Sequence, residues 1–151
     1  MKKFAGIFFS LIMFISLAGC SIPKDEVLDS LGKYKSKQYY TSGGFQDFTD
    51  YAKYSFDSVD FSDNPYFHIM TQDSKENLEA HIDDFETWIQ LKRESDSKNE
   101  VGMYYDFDRS VITDGDYLYI YDDPKYPELG FYDVYYFDVE SNILYYSHNN
   151  I

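Results

Sequence analysis

The residues first to be weighed for catalytic or metal chemistry are three histidines (His68, His81 and His148), one cysteine (Cys20) and 27 acidic residues. The histidines are dispersed and lack the spacing of a metal site. His81 lies about 60° from Leu78 on a helical wheel, so it reads better as a flanking ring against Trp88 than as a ligand. Asp106-x-Asp108-x-Ser110 opens like a calcium loop. Its sixth and twelfth positions are Val111 and Tyr117, where glycine and glutamate are required. Asp57, Asp60 and Asp63, and Asp114, Asp116, Asp122 and Asp123, read as solvated turns rather than as the many-oxygen cage calcium needs. A Gly-rich phosphate loop, a nucleophile elbow and a His-Glu-x-x-His pair are all missing from the sequence. Paired carboxylates can cleave glycosides only at set separations across a cleft, and nothing in the sequence locates a cleft. The expectation is a non-catalytic protein, with no metal, cofactor or catalytic residue assigned. A small cell-envelope hydrolase using an Asp/Glu pair is the alternative.

The tyrosines offer a different chemistry. In a strand over Tyr117–Tyr121, Tyr117, Tyr119 and Tyr121 share one face while Leu118 and Ile120 share the other. If a helix covers the Leu118/Ile120 side, the opposite side presents a row of rigid rings with polar tips. Such a row suits glycan stacking or a protein partner. The competing expectation is that another element covers it, or that the rings only stabilise the sheet as cross-strand pairs.

Cys20 closes Leu17-Ala18-Gly19-Cys20 after Lys2, Lys3 and an apolar run from Phe4 to Ile15, the layout of a secretory signal. With this motif the N-terminus resembles a bacterial lipoprotein precursor with a lipobox. The resemblance implies cleavage between Gly19 and Cys20 and a diacylglycerol on the Cys20 sulfur. A transmembrane anchor needs roughly 20 apolar residues, more than Phe4 to Ala18 supplies. Two acyl chains anchor stably where one does not, so the expected location is the extracytoplasmic face of a cell membrane. Lipidation consumes the only thiol, leaving stability to a packed core rather than to disulfides.

Removal of residues 1–19 leaves 132 residues, enough for one domain, and takes the formal charge from −14 to −16. Beyond Lys37 the chain holds 24 acids and 7 bases. That balance repels nucleic acid, whose binders carry basic patches, and favours a basic protein partner. A cell-wall glycan is the other partner the tyrosines suggest. Lys33, Lys35 and Lys37 are too few for a dependable lipid patch and read as a solvated loop. With 17 tyrosines, 13 phenylalanines and only four alanines, the chain is too aromatic to be disordered and favours a β-rich fold.

The elements that would position these residues are read from periodicity. Residues 20–44 are expected as a lipidated tether, with a short helix through Val27, Leu28 and Leu31 stopped by Gly32, then a loop over Lys33–Gly44. A single globular domain follows over 45–151. Phe45, Phe48, Ala52, Phe56 and Val59 recur every three or four residues and predict a helix. Tyr66–Thr71 predicts a short strand. Ser74–Arg93 predicts a long helix with Asp73 as N-cap, Glu76 closing a capping box, and a stripe of Leu78, Ile82, Phe85 and Ile89. Strands are predicted around Val101–Phe107, Tyr117–Tyr121, Phe131–Val139 and Ile143–His148, the last two joined by Glu140-Ser141-Asn142. The fold class is α+β, with amphipathic helices on one face of an antiparallel sheet of about four to five strands.

Overall fold

A computed structural model of the chain describes residues 25–43, 48–95, 99–125 and 130–150. The signal segment and Cys20 lie outside these residues. In chain order the elements are α1 (Glu26–Asp29), β1 (Ser36–Gly43), β2 (Phe48–Ser55), β3 (His68–Ile69), α2 (Gln72–Ser95), α3 (Glu100–Tyr104), β4 (Tyr117–Asp122), β5 (Tyr132–Asp138) and β6 (Ile143–Asn150). A 3-10 turn, Arg109–Val111, precedes β4. The fold is α+β, with an open antiparallel sheet of six strands in the order β1-β2-β6-β5-β4-β3. That is one or two strands more than the sequence reading.

Two hairpins meet at the β2–β6 ladder, which joins strands almost 100 residues apart from Phe48↔Asn150 to Ser55↔Ile143. The β5–β6 turn is set by Asp138, whose carboxylate accepts from Glu140 N at 2.9 Å and Ser141 Oγ at 2.6 Å. Asn142 takes the left-handed conformation at φ 55°, which asparagine tolerates better than most residues. Leaving β2, residues 56–67 cross one face of the sheet to reach β3 at the far edge. α2 then returns across the other face.

Each face therefore carries its own core. On the α2 side, Leu78, Ile82, Phe85 and Ile89 meet Tyr51, Leu118, Val134 and Tyr136. On the opposite side, Leu31, Phe56 and Phe67 meet Ala52, Tyr54, Tyr135, Phe137 and Leu144. Burying each such aliphatic or Phe side chain stabilises by about 1.5–3 kcal/mol. Val27 and Leu28 of α1 join this second core, so the helices are divided between the faces rather than gathered on one.

Several local expectations change. The helix predicted around Phe48–Val59 is the strand β2, and Phe45 falls outside the described residues. A spacing of four keeps residues on one face of a strand as well as of a helix, so Phe48, Ala52 and Phe56 fit both. The alternation that would have separated the two is lost because β2 is central and buried on both faces, with Tyr51 1%, Ala52 0% and Tyr54 5% exposed. The Lys33–Gly44 loop contains β1, paired with β2 along all eight of its residues. The strand around Val101 is the helix α3, because Asn99 Oδ1 accepts from Gly102 N at 2.8 Å and caps a turn there. α2 begins two residues early. Thr71 is its N-cap, closing a reciprocal box in which Ser74 N donates to Thr71 Oγ1 and Thr71 N to Ser74 Oγ. The two hydroxyl residues take the places expected of Asp73 and Glu76.

Candidate binding face

Strand alternation puts Tyr117, Tyr119 and Tyr121 on the face opposite α2, while Leu118 enters the α2 core. The crossing segment 56–67 covers most of that row. Phe61 stacks on Tyr117 with ring centroids 3.9 Å apart and planes 8° from parallel. Tyr66 meets Tyr119 edge-on at 5.5 Å, and Tyr135 flanks Tyr119 at 6.0 Å. Only Tyr121, 46% exposed, has its ring largely in solvent.

Tyr121 ends a different row. Register places Tyr121 opposite Asp133, Asp133 opposite His148, His148 opposite Asp50, and Asp50 opposite Thr41. Cross-strand neighbours of this kind lie about 5 Å apart, so two carboxylates flank one imidazole in the middle of the sheet. His148 Nδ1 lies 2.8 Å from Asp133 Oδ1. A carboxylate only accepts, so Nδ1 donates this bond. Phe48 packs on the imidazole, with centroids 4.9 Å apart. Asp50 is 6% exposed. Its Oδ1 and His148 Nε2 are both buried without a hydrogen-bond partner.

Tyrosines ring these carboxylates. Tyr146 Oη donates to Asp133 Oδ1 at 2.8 Å and Tyr135 Oη to Asp25 Oδ2 at 3.0 Å. Burial first, then the nearby carboxylates, pushes the hydroxyls of Tyr39, Tyr54, Tyr135 and Tyr146 well above the ordinary tyrosine value, with Asp50 acting on Tyr39, Tyr54 and Tyr146. These hydroxyls stay neutral donors at physiological pH. A cation already uses the rings. Lys37 Nζ lies 4.4 Å from the Tyr39 centroid and 5.4 Å from that of Tyr54, within cation–π range.

The other residues singled out from sequence serve the fold. His81 bridges Asp122 Oδ1 and the Asn77 carbonyl, each at 2.9 Å, and its ring meets Tyr132 rather than Trp88. His68 is exposed on β3. Lys35 pairs with Asp57 at 2.8 Å. Asp60 and Asp108 accept the backbone N–H two residues on. Asp106 joins Lys53 and Tyr51. Asp116 is the buried hub of the β4 entry, accepting from Thr113 N at 2.7 Å, Tyr136 Oη at 2.6 Å and Val139 N at 3.0 Å. Among the described residues, no three His, Cys, Asp or Glu side chains are gathered to hold a metal ion, and no helix is long and apolar enough to cross a membrane.

Asp50 and Asp133 escaped the sequence reading. Each sits two residues before an inward apolar or aromatic residue on its strand, Ala52 and Tyr135 respectively, which marks the face. What brings them to His148 is the β2–β6–β5 register, a long-range pairing that no local pattern encodes. No protein-family model matches the chain, and neither a curated protein nor a solved structure is similar to it.

Proposed function

We propose that this chain is a lipid-anchored extracytoplasmic binding module, held by a diacylated Cys20, that captures a basic protein partner of the cell envelope. The observation that carries the reading is the row Asp50–His148–Asp133–Tyr121 on the sheet face opposite α2, where carboxylates lie among tyrosine rings and Lys37 lies over two of those rings. A site of this make-up pairs with positive charge and stacks against its aliphatic or planar part. The formal charge of −16 left once residues 1–19 are removed extends the attraction beyond contact range. An immunity or inhibitor role toward a cationic toxin or enzyme is the concrete form of this activity. A glycan ledge draws less support, because Phe61 and Tyr66 already lie on Tyr117 and Tyr119.

The test has two arms. In the producing cell, the full chain is expected in the membrane fraction and a Cys20→Ser variant in the soluble fraction. In detergent, the full chain is expected to bind an arginine- and lysine-rich peptide in about 20 mM salt and to release it in about 500 mM, where screening shortens the reach of charge to a few ångström. Membrane retention of Cys20→Ser would reject the anchor. Binding indifferent to salt, or absent, would reject the basic partner.

A further inference from the structure

The binding reading names a face but not the group that seats on it. Two polar atoms in that face are buried and unpartnered on facing side chains: Asp50 Oδ1 on β2 and His148 Nε2 on β6. A buried polar atom without a partner is destabilising, and the fold carries two in adjacent side chains. Both sit where their neighbours are already committed. Asp133 holds His148 through Nδ1, and in a neutral imidazole so held Nε2 is the acceptor. Tyr146 is engaged with Asp133 and cannot supply the missing proton.

A buried carboxylate oxygen calls for a donor, and a charged donor makes the stronger bond. An ammonium is a point charge, already represented nearby by Lys37. A guanidinium is planar, carries five donors in a fixed fork and stacks on aromatic rings. Phe48, packed on His148, and Tyr39, 42% exposed beside the row, supply such rings.

Resting on the binding reading, we infer that the Asp50–His148 pair is the seat for an arginine side chain of the partner protein, one guanidinium edge donating to Asp50 Oδ1 and to His148 Nε2. Tyr39 is the gate. Its ring is 42% exposed beside Asp50 and carries Lys37 on its face, so a swing of this one side chain opens the row. Asp133 acts as a positioning residue by keeping Nδ1 protonated.

The test follows the imidazole nitrogens of the full chain in detergent by long-range proton–nitrogen NMR while an arginine peptide is added. Matched peptides carrying lysine, or the neutral isostere citrulline, serve as comparisons. The arginine peptide should shift His148 Nε2 saturably and citrulline should not. Asp50→Asn should weaken the arginine peptide about thirtyfold or more, as loss of a buried charge partner does. Asp73→Asn, an equal charge change on exposed α2, should weaken it no more than about twofold. Thermal melts establish that both variants fold, and the wild-type titration stands without either. Salt-sensitive binding with Nε2 unmoved and both variants weakened equally would overturn the seat while leaving the face reading intact. An equal Nε2 shift with lysine would overturn the guanidinium assignment. Failure of every basic peptide to bind would overturn both.

Discussion

Raising pH above 10 should unfold this protein cooperatively, because six tyrosines are hydrogen-bonded to carboxylates inside it. Tyr51 donates to Asp106, Tyr105 to Glu86, Tyr132 to Asp84, Tyr135 to Asp25, Tyr136 to Asp116 and Tyr146 to Asp133, at 2.6 to 3.1 Å. Burial is the largest cause in every case, and the adjoining carboxylate adds to it, so each hydroxyl is raised far above its ordinary value. The unfolded chain has no such restraint, and its tyrosines ionise near pH 10. Because the shift is upward, the contribution is fully present below pH ~10 and is lost as pH rises above it. Each tyrosine held neutral costs about 0.8 kcal/mol of stability at pH ~10.5 and about 1.4 kcal/mol at pH ~11. Six together remove about 5 and about 8 kcal/mol at those two pH values. Set against a typical domain stability of about 5–15 kcal/mol, this puts the midpoint between roughly pH 10.5 and 11.8. The assay is paired far-ultraviolet circular dichroism and tyrosinate absorbance near ~295 nm. Exposed tyrosines should ionise first and gradually, and the buried ones in one step together with loss of structure. A smooth titration of all 17 tyrosines near pH ~10 with the dichroism intact to pH ~12 would refute the reasoning.

Three further outcomes follow from the packing. Asp116→Ala strands Thr113 N and Val139 N around a side chain only 1% exposed and leaves Tyr136 Oη to the Val111 carbonyl alone, and should cost about 3–5 kcal/mol in urea unfolding. Asp116→Asn keeps one acceptor oxygen and should cost about 1–2 kcal/mol. Phe61→Ala removes the stack on Tyr117 and the edge contact with Phe137 at 5.0 Å. It should cost about 2–3 kcal/mol and make Tyr117 more reactive to N-acetylimidazole. Gly102→Ala puts a methyl group 2.7 Å from Arg93 Cγ, so Arg93 must shift and its bond to the Gly102 carbonyl weakens. The expected loss is about 1–2 kcal/mol, measured by the same unfolding.

How much of this was legible in the chain depends on the range of the interaction. The α2 stripe of Leu78, Ile82, Phe85 and Ile89 is one-sided and local, so its period alone gives the helix and its buried face. The tyrosine alternation over Tyr117–Tyr121 likewise gives the strand and the side its rings take. β2 was misread because it is covered on both faces, which erases the period of two and leaves a spacing of four common to both structures. β1 was missed because it is an edge strand, exposed along most of its length, with no apolar face to signal it. The covering of Tyr117 and Tyr119 depends on where residues 56–67 cross the sheet, a tertiary choice with no local mark. The Asp50–His148–Asp133 row is harder still, since it exists only in the register of three strands, one of them almost 100 residues away from another.

The central claim is that the sheet face opposite α2, around Tyr39 and His148, meets a basic protein. Its most direct test is a photocrosslinker placed at position 39 of the full chain in the producing cell, beside one at Leu91, which is 48% exposed on α2. The account predicts a defined adduct from position 39 with a protein of basic isoelectric point, none from position 91, and loss of the adduct in an Asp50→Asn background. An adduct from position 91 alone, or one from position 39 with an acidic protein, would contradict it.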